Sequence, residues 1–209
     1  MNILSVDATG EGSSVALVSP ADCIGYQNDH SKHSDCLFSL LNELFRKTGY
    51  SHSNIDAYAV VTGPGSFTGI RVGMAAVLGM RLVTKKRVLG ITNFEAHAFY
   101  VSLANKDNLP ILVILKAHRD QLCGQIFDHK LNSMRGPALC SAAELPSLMP
   151  KNCLVGGDCK DFAHDFAVVC PDRPLAVFAG MMAYHKIRLG LAAKVEPLYF
   201  MKFANLSGE

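Results

Sequence analysis

The segment Gly63-Pro-Gly-Ser-Phe-Thr-Gly-Ile-Arg-Val-Gly73 constrains the fold of this chain more than any other part of its sequence. An apolar run at residues 57–62 precedes it and predicts a short buried strand. Residues 69–84, which follow, contain few helix breakers other than glycine and predict a helix. A glycine-rich turn between a strand and a helix either aims backbone N–H groups at an anion or packs tightly.

The chemistry of this loop favours the tight turn. Pro64 has no N–H group to offer an anion, and Ser66 or Thr68 can cap the helix that follows. A Walker P-loop requires Lys-Ser or Lys-Thr after its last glycine, and neither follows Gly69. We therefore predict a capped turn, with a phosphate site as the alternative.

The composition predicts a globular chain with one large domain or two small lobes. Of its 209 residues, 49% are apolar and 18% are charged, which excludes a disordered chain. The net charge of +2 gives no electrostatic reason for nucleic acid to be a direct partner. Seven cysteines occur without a Cys-x-x-Cys pair, so a disulfide framework and a zinc site are both poorly supported.

The N-terminus and the cysteines also predict where the protein works. An odd number of scattered cysteines favours a reducing compartment. Asp7 comes too early for a signal peptide, and no apolar run reaches the length of a membrane span. We expect a cytoplasmic protein that has no contact with a membrane.

Hydrophobic patterning predicts two lobes that each open with a hairpin. The predicted strands of the first lobe are residues 2–8, 13–18, 23–28, 57–62 and 87–91, and its helices are residues 35–48, 69–84 and 93–104. A polar stretch at residues 105–110 marks a boundary, so the lobes are expected at residues 1–106 and 107–209. The second lobe is predicted to contain strands at residues 111–115, 122–127, 153–155 and 166–169, a turn at His118-Arg-Asp120 and a helix at residues 174–189.

The helix at residues 69–84 is small and apolar nearly all round. Glycine costs helix stability about 1 kcal/mol relative to alanine, so its three glycines require an offsetting gain such as close helix–helix contact. A thick core or a second subunit supplies that contact, and we favour the subunit because residues 37–45 carry a comparably wide apolar stripe. The predicted interface residues are Leu37, Leu40, Leu41, Leu44, Gly69, Val72, Gly73, Ala76 and Met80.

Three polar residues are candidates for a vestigial nucleotide site: Asp7, Ser66 and Thr68. Asp7 ends the first strand, where an acid organises metal and phosphate in actin-like ATPases, but a hairpin-turn acid is the simpler interpretation. Asn93 stands four residues before His97, so a His-x-x-x-His metal pair is half absent. Ser66 has no recognisable His and Asp partners for nucleophilic catalysis. The sequence therefore predicts no metal site and no catalytic residue.

The eleven residues from Gly63 to Gly73 resemble the signature of the TsaB (YeaZ) family, whose members are bacterial proteins required to form threonylcarbamoyladenosine in tRNA. Residues 3–9 resemble the opening strand of that family, and His33-Ser34 resembles the pair before its first helix. Gly156-Gly157-Asp158 and Pro197-Leu198-Tyr199 also fit the family. Residues 116–123 depart from the hairpin that its members usually carry.

This resemblance implies a two-lobed α/β fold of the actin-like (ASKHA, sugar kinase and Hsp70) type with a degenerate nucleotide site. It also implies a partner, TsaD, which is the paralogue that transfers threonylcarbamoyl and binds metal through His-x-x-x-His. Asn93 and His97 fall where that motif would stand, so the chain resembles the non-catalytic paralogue. Family members pair through first-lobe helices, as homodimers alone or with TsaD, and the ATPase TsaE is the expected third component. The resemblance implies that this chain contacts tRNA only indirectly, through its complex with TsaD. No cofactor is expected.

Two functions compete at this point. One is a non-catalytic scaffold that supports t6A37 modification of tRNA by holding TsaD through the helices at residues 35–48 and 69–84. The other is a minimal actin-like ATPase or metal-dependent transferase that uses Asp7, Ser66, Thr68 and His97.

Overall fold

A computed structural model describes residues 1–28, 33–117, 121–158, 168–169 and 171–199, without the side chains of positions 33–35, 148 and 168. The predicted turn at His118-Arg-Asp120 and residues 166–167 of a predicted strand lie outside the described residues.

The first lobe is a five-stranded mixed sheet in the order β3-β2-β1-β4-β5. Its elements in chain order are β1 (Ile3–Asp7), β2 (Ser13–Val18), β3 (Cys23–Asn28), α1 (His33–Thr48), β4 (Ala57–Val61), α2 (Phe67–Thr84), β5 (Arg87–Ile91) and α3 (Asn93–Ser102). The first three strands form an antiparallel meander, and β4 and β5 continue the sheet in parallel with β1. Every residue of β1, β2 and β4 is buried, as expected when helices cover both faces of a sheet.

The second lobe repeats this topology. Its elements are β6 (Ile111–Lys116), β7 (Gln121–Phe127), β8 (Ser133–Ser141), α4 (Leu145–Leu148), β9 (Leu154–Gly157) and β10 (Val168–Val169), followed by α5 (Leu175–Arg188). The strand order β8-β7-β6-β9-β10 again combines an antiparallel meander with two parallel strands. The predicted pair of topologically related lobes is therefore confirmed.

Two elements of the second lobe have no counterpart in the sequence prediction, β8 and α4. Apart from Cys140, every residue of β8 is exposed, so this edge strand has none of the apolar alternation that marks a half-buried strand. The other differences are small. Helix α2 begins at Phe67 rather than at residue 69, and α3 ends at Ser102 rather than at residue 104.

Helices α1 and α2 cover one face of the first sheet. The leucines of α1 pack in one buried cluster with Leu4, Val6 and Tyr58 of the sheet. Six of the nine predicted interface residues are buried inside the lobe in the isolated chain, and the interface itself stays a prediction. The six are Leu37, Leu40, Leu41, Leu44, Gly69 and Gly73.

The glycines Gly69 and Gly73 of α2 pack within their own lobe, whereas the sequence predicts that they contact a second subunit. Gly69 and Gly73 let the helix approach the sheet of its own lobe, where a Cβ on Gly73 would stand 3.6 Å from Val60. In the isolated chain the neighbours of these two glycines therefore belong to their own lobe. Val72, Ala76 and Met80 are only partly buried against the same cluster and stay predicted interface residues.

Helix α5 covers the opposite face of the first sheet. Phe178, Ala179 and Met182 lie in one cluster with residues of β1, β4 and β5. The predicted division of the chain between residues 106 and 107 stays a prediction. Helix α5 belongs to the range predicted for the second lobe, yet it packs on the sheet of the first lobe.

Residues 191–199, which we call the C-terminal strap, also return to the first lobe. The Leu198 N–H donates to the Thr62 carbonyl over 2.8 Å, and the Lys194 carbonyl lies against Gly90. At the end of the strap, the rings of Tyr199 and Phe67 lie 4.9 Å apart. The strap therefore connects the end of the second lobe to the start of α2.

Helix α2 is the one described helix that is long and apolar enough to cross a membrane, with 18 residues and a mean hydropathy of 1.3. This finding corrects the expectation that no apolar run reaches that length. It is weak support for a membrane span, because core helices pass the same test and α2 packs on the sheet through Ile70 and Val77.

Candidate functional site

The loop before α2 is a capped turn packed against the first hairpin. The Ser66 hydroxyl accepts a hydrogen bond from the Gly69 N–H over 3.2 Å, which confirms the predicted cap, and the Ser66 N–H donates to the Thr9 carbonyl over 2.8 Å. Gly65 has a φ of +155° and lies against the same carbonyl, while a Cβ on Gly69 would overlap the Ala8 carbonyl oxygen. These glycines permit close backbone contact with the hairpin.

Asp7 ends β1 and fixes the turn that follows it. One oxygen of its carboxylate accepts hydrogen bonds from the Thr9 N–H over 2.8 Å and from the Thr9 hydroxyl over 2.7 Å. This geometry is that of a hairpin-turn acid, the simpler of the two interpretations of Asp7.

A cleft of about 290 Å³ opens beside Asp7, and we call it the hairpin cleft. It is lined by residues 10–14 of the first hairpin together with Asp7, Gln27, Asn28 and Leu175. Two carboxylates, Asp7 and Glu11, line this cleft, and its described lining contains no lysine or arginine. Two carboxylates repel a free polyphosphate, so a nucleotide bound here would need a cation to balance the charge. Ser66 and Thr68 are not among the lining residues, and the nucleotide site stays a prediction.

Asn93 and His97 occupy adjacent turns of α3 and are both buried. The Asn93 side-chain amide donates to the Thr9 hydroxyl over 3.1 Å and to the Pro64 carbonyl over 3.0 Å, which joins α3 to the hairpin and the glycine loop. Burial lowers the pKa of the His97 imidazole from 6.5 to about 4, so the ring is neutral at physiological pH.

These two residues do not fit a metal. The side-chain amide of Asn93 already donates hydrogen bonds to Thr9 and Pro64. The imidazole of His97 is then the one possible metal ligand of this pair. Within the described ranges, no group of three His, Cys, Asp or Glu residues comes together. Two buried acceptor atoms, Asn93 Oδ1 and His97 Nδ1, have no hydrogen-bond partner in that part of the chain.

The outward side of α2 is an apolar surface that the sequence prediction does not single out. Leu82 is 70% exposed and Val83 is 84% exposed, and Ala75 and Gly79 lie on the same side of the helix because of its 3.6-residue period. Nothing lies within 4 Å of the place where a Cβ on Gly79 would stand. On the neighbouring helix α1, Phe38 is 57% exposed. We call Val72, Ala75, Gly79, Leu82 and Val83 the outer α2 stripe.

An arginine and two aromatic rings border the start of this stripe. The Arg71 guanidinium carbon lies 3.9 Å from the centre of the Phe67 ring, and Arg71 Nε donates to the Tyr199 hydroxyl over 3.4 Å. The strap therefore holds the first turn of α2 in place through Tyr199.

A family comparison now identifies the group to which the chain belongs. The sequence model described as "TsaD: tRNA N6-adenosine threonylcarbamoyltransferase" matches residues 27–182. The chain belongs to this TsaD family. Its similarity to TsaB, also called YeaZ, is confirmed by sequence and by structure. The TsaB protein of Escherichia coli is 31% identical over 103 residues, which cover 47% of this chain and 43% of that protein.

A second curated protein and one solved structure are also similar to this chain. The tRNA N6-adenosine threonylcarbamoyltransferase of Ehrlichia canis is 35% identical over 83 residues, which cover 40% of this chain and 24% of that protein. YeaZ from Pseudomonas aeruginosa has the same fold, with a TM-score of 0.76 at 18% identity over 95% of this chain and 99% of that one. The predicted actin-like, TsaB-type fold is thus confirmed, although the matches span less than half the length of the curated relatives.

Proposed function

We propose that this chain is a non-catalytic scaffold subunit that supports threonylcarbamoyladenosine formation in tRNA by pairing with TsaD. The observation that carries this proposal is the outer α2 stripe, together with Phe38 on α1. Large apolar side chains as exposed as Leu82 and Val83 are typical of surfaces that a protein partner covers.

The shape of the stripe favours a helical partner. Ala75 and Gly79 stand in the middle of it, and their small side chains let a second helix approach closely. Leu82 and Val83 supply large apolar side chains beside this centre, and Phe38 is a further exposed apolar side chain on α1. Arg71 gives the stripe a positive end beside the strap.

The polar sites support a subunit that performs no chemistry. Asp7 holds Thr9, and the described lining of the hairpin cleft offers no lysine or arginine to a phosphate. Asn93 stands where the family resemblance implies a metal-binding histidine, and it bonds the glycine loop. These residues keep the architecture of an actin-like site while its polar groups stabilise the fold.

The remaining parts of the proposal come from the family resemblance. In the absence of TsaD, the stripe is expected to pair with the stripe of a second copy, so the chain alone is a homodimer. TsaE joins as a third component, tRNA is contacted only through the complex, and the work takes place in the cytoplasm.

A charge placed on the stripe tests this function. Leu82→Glu puts a carboxylate on the proposed contact surface, and we expect a loss of about tenfold or more in affinity for TsaD of the same organism. The matched control is Leu103→Glu, because Leu103 is also exposed, at 59%, but follows α3. Size-exclusion chromatography with TsaD, and the threonylcarbamoyladenosine content of tRNA in a complemented strain, measure the result. Equal behaviour of the two variants would disprove the stripe as the TsaD contact.

Gly79→Arg provides a second, independent test. The new side chain enters open space, and replacing a helical glycine raises the stability of the isolated chain by up to about 1 kcal/mol. The same arginine blocks close approach of another helix, so we expect pairing to be lost while the melting temperature does not fall. If the purified chain alone hydrolysed ATP or bound a metal stoichiometrically, the ATPase or transferase alternative would replace the scaffold.

A further inference from the structure

A second cleft, which we call the inter-lobe cleft, lies away from the outer α2 stripe and from the hairpin cleft. Its volume is about 200 Å³. Helices α3 and α5 contribute Glu95, Met182 and Lys186, the β7–β8 turn contributes Lys130, and the start of the strap contributes Leu191. Both lobes therefore form its walls.

A buried lysine with unused hydrogen-bonding capacity lines this cleft. Lys186 is only 8% exposed, and its ammonium group donates to Glu95 Oε1 over 2.6 Å. The other oxygen of Glu95 accepts from the Thr92 N–H over 2.9 Å, where it completes the capping box of α3. Both carboxylate oxygens are thus used, whereas the ammonium has three N–H groups and meets one acceptor among the described residues.

A second lysine is held at the cleft by a rigid turn. The Asp128 carboxylate accepts hydrogen bonds from the Lys130 N–H and the Asn132 N–H, each over 2.8 Å, and from the Asn132 amide over 2.9 Å. These bonds fix the backbone on which Lys130 stands. The side chain of Lys130 is exposed and makes no ion pair with the described residues.

The charges and the walls together define the ligand. Two lysines face one glutamate, so these three residues leave one positive charge uncompensated. His185 also lines the cleft, and its buried Nε2 has no hydrogen-bond partner among the described residues. Leucine and methionine side chains supply apolar walls beside that charge. Sites for drug-sized ligands have volumes of about 300–1,000 Å³, so a cleft of this size accepts a smaller molecule.

We propose that the inter-lobe cleft binds a small organic monoanion, a carboxylate with an apolar body. Its anionic group lies between Lys130 and Lys186, and its apolar part packs on Met182 and Leu191. A bound molecule connects α5, which packs on the first sheet, with the β7–β8 turn of the second lobe. This site is independent of the scaffold function, because no residue of the outer α2 stripe takes part in it.

The test is an NMR titration of the ¹⁵N-labelled full chain with sodium benzoate and, separately, with sodium hexanoate. Ionic strength is held constant with sodium chloride, so that general screening does not contribute. Benzamide and hexanamide serve as neutral ligands of the same shape. We expect saturable shifts of the amide signals of Leu131, Met182, Lys186 and Leu191, and affinity at least about tenfold weaker for each amide than for its acid.

Two variants locate the anion. Lys130→Gln removes an exposed side chain on which the fold does not depend. We expect this variant to bind benzoate with an affinity about tenfold lower than that of the natural chain. Lys151→Gln is the matched control, because Lys151 is also exposed in the second lobe, and it should leave the affinity unchanged. The proposal is overturned if the acids bind more weakly than about 10 mM, if the amides bind equally well, or if Lys130→Gln changes nothing.

Discussion

Burial of the His97 imidazole makes the stability of this chain depend on pH. The pKa of His97 is about 4 in the folded protein and 6.5 in an unfolded chain. Since the folded pKa is the lower one, the unfolded state takes up a proton first as the pH falls. The stabilising contribution is therefore complete above pH 6.5 and is lost between pH 6.5 and pH 4.

The size of this loss follows from the two pKa values. One pKa unit corresponds to about 1.4 kcal/mol, so the free energy of unfolding falls by about 1.4 kcal/mol at pH 5.5 and about 2.5 kcal/mol at pH 4.5, relative to pH 7.5. The His97→Leu variant lacks the titrating group, so this part of its pH dependence should disappear. Other groups titrate in both proteins and cancel in the difference.

Urea unfolding at pH 7.5, 5.5 and 4.5 measures this difference for the natural chain and the His97→Leu variant. Direct titration of the His97 ring by NMR gives the folded pKa independently. Parallel stability curves for the natural chain and His97→Leu, or a ring that titrates near pH 6.5, would refute the reasoning.

Two further sets of substitutions test the packing around the glycine loop and around the inter-lobe cleft. Gly69→Ala should lower the free energy of unfolding by about 2 kcal/mol, because its Cβ overlaps the Ala8 carbonyl, whereas Gly79→Ala should raise it by up to about 1 kcal/mol. Urea denaturation distinguishes them, and equal effects would contradict the different surroundings of the two glycines. Lys186→Met should cost about 3 kcal/mol because it leaves the Glu95 carboxylate unpaired, and Lys186→Met combined with Glu95→Gln should recover much of that loss in the same assay. No recovery in the double variant would show that the ion pair is not the cause.

Much of the fold can be predicted from the sequence because local patterns determine it. The run at residues 57–62, the glycine loop and the helix behind it appear in the predicted order, and β1 pairs with β2 in the hairpin that is predicted to open the first lobe. Strand β8 escapes prediction because its residues face solvent, and pairing with β7 rather than apolar alternation defines it.

The candidate sites were harder to predict because sequence periodicity does not say what covers a helix. An apolar stripe on α1 and glycines in α2 suit a core and an interface equally, and only the packing shows that Leu37 and Gly73 point inward. Leu82 could have been noticed, since it follows Gly73 by nine residues and therefore stands on the opposite side of α2. The inter-lobe cleft joins Glu95 to Lys186 across 91 positions of sequence, and no local pattern reveals such a pair.

The return of α5 and the strap to the first sheet has a consequence for synthesis. Residues 3–91 contain every strand of that sheet, yet one of its faces is covered by residues 175–188, which leave the ribosome much later. Until then, the apolar side chains of β1 and β4 have no cover on that side, and they are open to aggregation or to a chaperone. The first lobe to be translated can therefore complete its fold only after the second lobe has been made.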